Sequence, residues 1–154
     1  MTSPLTDPIT TFRGFQMRPD IRNNTRVMKD DPELAGRLWE RMKHLVPTTH
    51  RRMGSWRPHG LNERFRFYRY TGGQYFKWHG DGPFIRTPED LSLFTAMVYL
   101  NDDFEGGTTN FQFGPTVIPR RGMLLLFEHS MVHQGAPVLG GCKYVLRTDV
   151  MFRP

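Results

Sequence analysis

The stretch RYTGGQYFKWHGD, residues 69 to 81, contains a turn, an extended segment and two candidate metal ligands. Gly72 and Gly73 predict the turn, and the residues that follow predict a strand. His79 and Asp81 are two residues apart, so on a strand both side chains lie on the same face. One imidazole and one carboxylate therefore point into the same space. A second imidazole would complete the set of two histidines and one carboxylate that binds non-haem Fe(II) and leaves coordination positions open.

Two later histidines, His129 and His133, can supply that second imidazole. His133 is favoured because it begins a new extended segment, whereas His129 lies in the turn after Phe127. Lys143 follows ten residues after His133, and in a tight antiparallel pair this separation would bring the lysine back to the depth of the metal. A His-x-Asp tripeptide alone is weak evidence, so the predicted site depends on these residues occurring together.

Short apolar and aromatic runs alternate with turns along residues 63 to 152. The chain has 15 Gly and 12 Pro, which supply those turns. About eight short strands at this spacing predict a mainly β fold, of the sandwich, jelly-roll or barrel type. The predicted strands cover residues 63–70, 74–81, 91–100, 108–113, 116–118, 123–127, 133–138 and 143–152.

One clear helical signal precedes these strands, at about residues 31–46. Asp31 is a candidate N-cap, and Pro32 stands in the first turn, where its missing N–H is not needed. Apolar residues then recur at helical spacing until Pro47 ends the segment. The sequence therefore predicts at least one N-terminal α-helix that supports the β core.

Length, charge and cysteine content limit the possible classes of protein. The 154 residues predict one domain, with a supporting region at 1–62 and a catalytic β core at 63–154. Lys and Arg outnumber Asp and Glu by 21 to 15, so the protein should attract anions, whether carboxylate substrates or nucleic acid. Cys142 is the only cysteine, and no apolar leader or membrane span is evident. We therefore expect a cytoplasmic protein without a membrane partner.

The order of these motifs resembles that of the prolyl 4-hydroxylase-like Fe(II)- and 2-oxoglutarate-dependent dioxygenases. His79-Gly-Asp81, then His133, then Lys143 at the tenth position after it, is similar to the motif of that family. The longer similar segments are RYTGGQYFKWHGD (69–81), VYLNDDFEGGTTNF (98–111) and HQGAPVLGGCKYVLRTDVMF (133–152). The resemblance covers roughly residues 64 to 152 and implies a cupin-like double-stranded β-helix, which is a distorted jelly roll.

The resemblance also implies an activity and a role for each residue of the motif. The implied reaction consumes O2, converts 2-oxoglutarate to succinate and CO2, and hydroxylates an unactivated C–H bond of a prolyl, peptide or amino-acid-like substrate. Ascorbate is expected to stimulate it. The residues implied for catalysis and the metal are His79, Asp81 and His133, and those implied for 2-oxoglutarate are Lys143, Tyr99 and Tyr70.

Strand alternation extends the predicted site beyond the motif. If Tyr70 points inward, so do Tyr68 and Arg66. By the same rule Lys143 and Arg147 share one face. A buried arginine is costly without an anion, so Arg66 and Arg147 are hypothesised to bind a carboxylate of the substrate or cosubstrate. Alternatively, these arginines lie at the mouth of the barrel or pair with internal acids, of which the candidates are Asp149 and Glu105.

Two other functions stay open on the sequence alone. A nucleic-acid-directed oxidative demethylase is supported by the net positive charge and by Arg51, Arg52 and Arg57, and it would bind with strong salt dependence. Nucleic acid is nevertheless not the expected partner. A non-catalytic cupin-like metal-binding module would keep the fold without turnover, although the intact ligand set and lysine argue against it. Substrate contacts are expected in the loop of residues 82–90.

Overall fold

The computed structural model describes residues 22–154 and the backbone of two short strands before them. The first part of the predicted supporting region otherwise lies outside the described residues. The elements are β1 (Ile9–Thr11), β2 (Gly14–Gln16), β3 (Thr25–Asp30), α1 (Pro32–Met42), a 3-10 turn (Lys43–Leu45), β4 (Arg57–Leu61), β5 (Arg64–Thr71), β6 (Phe76–His79), β7 (Ile85–Thr87), β8 (Asp90–Tyr99), β9 (Glu105–Gly106), β10 (Thr109–Phe111), β11 (Thr116–Val117), β12 (Leu124–Glu128), β13 (His133–Gly135), β14 (Val138–Gly140) and β15 (Cys142–Arg153).

Two antiparallel sheets form the core of the fold. The larger has seven strands in the order β12-β8-β15-β5-β3, with β4 paired to β15 and β7 paired to β8. The smaller has four strands in the order β11-β10-β13-β6. Side chains from both sheets line one cavity between them. The prediction of a mainly β, jelly-roll-like fold is confirmed, with the qualification that the sheets stay open rather than closing into a barrel.

The alternation along β5 explains how the larger sheet divides its two faces. Tyr68 and Tyr70 are buried on the cavity side with Tyr99 and Val145, while Phe65 packs into a second cluster on the opposite face. A turn follows β5 at Gly72 and Gly73, which have φ values of 56° and 81°. Residues with a side chain rarely adopt this left-handed backbone conformation, which explains why both positions are glycine.

One expectation about strand pairing is wrong. His133 and Lys143 were expected on neighbouring antiparallel strands, but β13 pairs with β6 and β10, whereas β15 pairs with β5 and β8. The short β14 and the turn at Gly140–Gly141 carry the chain from the smaller sheet to the larger one. The lysine therefore approaches the site from the opposite sheet, not from a hairpin with His133.

The predicted helix forms and covers the outer face of the larger sheet. The Asp31 side chain accepts a hydrogen bond from the Leu34 N–H at 3.0 Å, and Pro32 occupies the first turn. Ala35 and Met42 are buried against Phe65 and other members of the outer cluster. The helix ends at Met42 and continues as a single 3-10 turn. Among the described helices, none combines the length and the apolar character needed to cross a membrane.

Candidate functional site

The two predicted histidine ligands lie next to each other on adjacent strands of the smaller sheet. His79 ends β6, His133 begins β13, and the two residues are register partners in the antiparallel pair. Asp81 follows the end of β6, where its N–H donates to the His129 carbonyl at 2.8 Å. The Asp81 carboxylate oxygens lie 3.5 Å from His79 Nε2 and 3.9 Å from His133 Nε2. All three potential ligand atoms fall within 4.8 Å of one another.

Backbone hydrogen bonds orient both imidazoles for metal binding. His79 Nδ1 lies 2.6 Å from the Lys77 carbonyl, and His133 Nδ1 lies 2.9 Å from the Met131 carbonyl. A carbonyl only accepts, so each Nδ1 carries the proton and each Nε2 presents its lone pair towards Asp81. Histidines that bind metals are commonly fixed in this way by a partner on the other ring nitrogen. The donor set therefore fits an Fe(II) ion bound on one face.

The charge state of these residues also fits a bound cation. Burial lowers the pKa of His133 to about 4, so its imidazole is neutral near pH 7 and able to act as a ligand. Burial by itself would raise the pKa of Asp81, but the positive charge of Arg147 holds it well below its usual range. An ionised carboxylate beside a neutral imidazole is a combination that suits a divalent metal.

His129, the competing histidine, is not part of this set but supports it from behind. Thr95 Oγ1 donates to Asp81 Oδ2 at 2.6 Å, and it lies 2.8 Å from His129 Nδ1. Since the hydroxyl proton of Thr95 is already used, His129 Nδ1 must be the donor in the second contact. His129 Nε2 then accepts from Ser92 Oγ at 2.7 Å, and Ser92 Oγ accepts from the Phe84 N–H at 2.8 Å. A continuous chain of hydrogen bonds therefore joins the 82–90 loop to Asp81.

Lys143 lies at the opposite side of the cavity and is almost fully buried, with 2% of its surface exposed. Its ammonium donates to the Gly107 carbonyl at 2.7 Å and lies 4.8 Å from the Tyr70 ring centre. Burial lowers the pKa of Lys143 to about 8. Within residues 22–154, no carboxylate forms an ion pair with it, so its charge is available to an anionic ligand such as 2-oxoglutarate.

The two predicted tyrosine contacts occupy different positions. Tyr70 lines the cavity, whereas Tyr99 is fully buried behind it, and its hydroxyl is hydrogen-bonded to Thr109, which does line the cavity. The cavity measures about 30 Å³, so lining side chains must move to admit the cosubstrate. Sequence reasoning did not single out Phe76, whose ring stacks on the His79 imidazole with centroids 3.7 Å apart. Alternation gave no signal for this contact, because residues three apart on a strand are predicted to lie on opposite faces.

The two inward arginines are both close to Asp149, as the alternative interpretation proposed. Arg147 Nη2 donates to Asp149 Oδ1 at 3.2 Å, and Arg147 Nη1 lies 3.5 Å from Asp81 Oδ1. Arg66 Nη1 lies 3.6 Å from Asp149 Oδ2. Tyr68 is buried beside them and lines the cavity. Arg147 is therefore held by two carboxylates, which leaves it less suited to bind a substrate than Arg66.

Comparisons with known proteins agree with this geometry. A family model described as the 2OG-Fe(II) oxygenase superfamily matches residues 65–148, more than half of the chain. A PKHD-type hydroxylase of Synechococcus sp. (strain CC9605) is 35% identical over 81 residues, which cover 50% of this chain and 36% of that protein. The match thus spans about a third of the length of that curated relative.

Solved structures share the fold at low sequence identity. A prolyl hydroxylase from Trichoplax adhaerens, in complex with a hypoxia inducible factor peptide, has a TM-score of 0.68 at 18% identity, covering 96% of this chain and 71% of that one. A viral collagen prolyl hydroxylase from Paramecium Bursaria Chlorella virus-1 has a TM-score of 0.60 at 22% identity, covering 84% and 79%. The fold is that of the prolyl hydroxylases, and since the family model matches more than half of the chain, the chain belongs to the 2OG-Fe(II) oxygenase superfamily.

Proposed function

We propose that the chain is an Fe(II)- and 2-oxoglutarate-dependent dioxygenase that hydroxylates an unactivated C–H bond of a prolyl, peptide or amino-acid-like substrate. The observation that supports this most strongly is one cavity that joins a two-histidine, one-carboxylate donor set to a buried lysine with no acidic partner among the described residues. His79, Asp81 and His133 bind the metal in this proposal, and Lys143 binds the distal carboxylate of 2-oxoglutarate.

The remaining cavity residues position these groups and exclude water. When bound, the iron and 2-oxoglutarate supply the oxidative chemistry, in which O2 is consumed and succinate and CO2 are formed. The Tyr70 ring packs against the Lys143 ammonium, so the positive charge lies over the face of an aromatic ring. Tyr99 places its ring 5.6 Å from the Lys143 ammonium and its hydroxyl in a hydrogen bond with Thr109. Arg147 holds Asp81 ionised and fixes its direction relative to the two histidines.

Two observations support the substrate class. The solved relatives named above are prolyl hydroxylases, and one of them contains a peptide. A groove of about 210 Å³ runs between the 82–85 segment, which follows Asp81 in the chain, and the edge of the larger sheet, which is room for a prolyl residue or a small amino-acid-like molecule. The cytoplasmic location, the stimulation by ascorbate and the division into a supporting region and a catalytic core belong to the same proposal.

The test is anaerobic addition of Fe(II) and 2-oxoglutarate to the metal-free protein. We expect the weak visible charge-transfer band of a bidentate complex, which Asp81→Ala abolishes and which needs far more cosubstrate in Lys143→Ala. Folded, metal-loaded protein without this band would favour the non-catalytic metal-binding module instead. If the band forms and salt-sensitive binding to DNA or RNA stimulates succinate release, the nucleic-acid-directed alternative is correct.

A further inference from the structure

A groove beside the metal site contains a buried guanidinium that is incompletely satisfied. The groove is lined by Met28, Arg64, Arg66 and the segment 82–85, which begins one residue after Asp81. Arg66 is 7% exposed, yet its Nη1 has no hydrogen-bond partner and only a 3.6 Å approach to Asp149. Arg64, two residues earlier on β5, is half-buried and donates twice to Asp30, at 2.9 and 3.3 Å. The guanidinium of Arg64 is therefore bound to a carboxylate by two hydrogen bonds, whereas Arg66 Nη1 has none.

The charges around Arg66 leave an excess of one positive charge. Arg66 and Arg147 share a single free carboxylate, Asp149, because the charge of Asp81 is used by the metal in the proposed function. Arg26 also lies near Arg66 and has interactions of its own, so the count covers Arg66, Arg147 and Asp149 alone. For these three groups a monoanion in the groove would restore neutrality, whereas a dianion would overcompensate.

The pKa values of Arg66 and Tyr68 are both shifted by the positive charges around them. Burial and the nearby Arg147 lower the pKa of Arg66, as expected for a cation that is poorly compensated. Burial alone would raise the pKa of Tyr68, yet Arg147, Arg66 and Arg26 together lower it. A buried phenol whose pKa falls requires a strong positive potential, so the site favours a negative group at this point.

The rest of the groove is apolar. Met28 is 41% exposed and Ile85 is 61% exposed, and both border the groove together with Pro83 and Phe84. A ligand here would therefore place an apolar body against these side chains and one charged group on Arg66.

We propose that Arg66 binds a carboxylate of the substrate, so that this enzyme acts on an apolar molecule or residue carrying one negative charge close to the hydroxylated carbon. This inference rests on the proposed function and narrows its substrate class. The carboxylate comes either from a free acid or from a peptide, through an acidic side chain or a C-terminus. The planar guanidinium can donate two parallel hydrogen bonds to such a group.

The experiment uses full-length protein loaded with Mn(II) and saturating 2-oxoglutarate under anaerobic conditions. Paramagnetic Mn(II) accelerates the proton relaxation of any molecule bound next to it, which restricts the signal to this site. The probes are N-acetyl-L-proline, its neutral amide and methyl phosphate, a dianion. A peptide with both termini blocked and one Glu, compared with its Gln counterpart, distinguishes a peptide source from a free acid.

We expect the carboxylate to bind at least about tenfold more tightly than the amide, as one charge-assisted hydrogen bond allows. Arg66→Gln should reduce this preference to about twofold or less, and Arg66→Lys should keep part of it. Arg64→Gln, the matched control on the same strand, should leave it unchanged. Preference for the Glu peptide over N-acetyl-L-proline would identify a peptide source, and the reverse a free acid.

Several results would overturn the inference. One is equal binding of acid and amide, or no relaxation effect of either at about 50 mM, well above the dissociation constant expected of a specific subsite. Another is an undiminished preference in Arg66→Gln, and a third is tighter binding of methyl phosphate than of the carboxylate. The charge-transfer band separates this failure from failure of the proposed function. An intact band in wild type and Arg66→Gln with no carboxylate preference refutes only the subsite, whereas a missing wild-type band refutes both.

Discussion

The two sheets contribute to the site in different ways. The smaller sheet supplies both histidines from strands of three and four residues, and its ligands sit where those strands begin or end. The larger sheet supplies the lysine and the arginines from β5 and β15, strands of eight and twelve residues, which bury these charges deeply. Metal ligands need accurate placement, which short strands with backbone-anchored imidazoles provide. Buried cations need a continuous, well-packed support, which only the larger sheet provides.

The largest effect is expected from the smaller sheet. His133→Ala removes one of three ligands, so metal affinity should fall by more than about a hundredfold, since loss of an outer-shell partner alone costs about 10- to 100-fold. Succinate release should drop to the level of metal-free protein. Metal content after dialysis and the charge-transfer band measure this loss, with the exposed His44→Ala as control. Retention of stoichiometric metal in His133→Ala would mean that another residue, such as His129, serves as the ligand.

The second-largest effect should show that the two sheets have different functions, one in metal binding and the other in 2-oxoglutarate binding. Lys143→Ala removes the only charge proposed for the distal carboxylate, which should weaken 2-oxoglutarate binding by about 2 to 5 kcal/mol, or at least about thirtyfold. Metal affinity should stay unchanged, because Lys143 forms no contact with the three ligands. Calorimetry with each ligand in turn checks both statements. A large loss of metal in Lys143→Ala would show that the sheets are not functionally separable.

Thr95→Val tests a contact through which the larger sheet acts on a metal ligand. Thr95 belongs to the larger sheet, yet its hydroxyl donates to Asp81 and accepts from His129. Replacing the hydroxyl by a methyl group of similar size should lower metal affinity about 10- to 100-fold, and Thr95→Ser should restore it. Mn(II) titration followed by electron paramagnetic resonance measures the affinity. If valine leaves the affinity unchanged, Arg147 and the backbone alone position Asp81.

The hydrogen bonds around Asp81 and His129 show which side-chain directions could be predicted from the sequence and which could not. Strict alternation along β5 and β15 placed Arg66, Tyr68 and Arg147 inward; Arg66 and Tyr68 are buried, and Tyr68 and Arg147 line the cavity. Along β8 the alternation breaks, because Val150 pairs with Phe94 and Met151 with Ser92, leaving an extra residue on β8. Side chains that alternation would put on opposite faces, Ser92 and Thr95, therefore both reach His129.

The pairing of the strands was the second feature that could not be predicted from the sequence. His133 and Lys143 line one cavity, but the spacing of ten between them indicated a hairpin that does not exist. Loop length alone does not distinguish a return to the same sheet from a crossing to the opposite one. The helix at 31–46 was predictable because its cap, its first-turn proline and its apolar spacing are local signals.

A pH dependence should follow from the burial of Lys143. Its pKa is about 8 in the folded protein and 10.5 when unperturbed, so the folded state binds fewer protons than the unfolded state between these values. The contribution of Lys143 to stability without cosubstrate should therefore rise as the pH increases from 8 to 10.5. Binding of 2-oxoglutarate needs the charged lysine, so its affinity should fall up to about tenfold per pH unit above 8. Calorimetry in buffers of different ionisation enthalpy detects the accompanying proton uptake.

Lys143→Arg is the matched control for this pH dependence. Arginine stays protonated over the whole range, so the variant should bind 2-oxoglutarate with little change between pH 8 and 10. Equal slopes in wild type and variant would assign the pH dependence to another group.

The smallest effect should come from the helix, which packs on the face of the larger sheet away from the cavity. Asp31→Ala removes the oxygen that accepts the Leu34 N–H and should lower the free energy of unfolding by about 1 kcal/mol. Asp31→Asn keeps an acceptor and should cost less, which separates capping from charge. Because Phe65 on the outer face and Tyr68 on the cavity face belong to different clusters, metal and 2-oxoglutarate affinity should not change in either variant. Denaturant titration measures stability, and calorimetry measures the two affinities. A loss of 2-oxoglutarate affinity in Asp31→Ala would show that the larger sheet transmits changes in helix packing to Lys143.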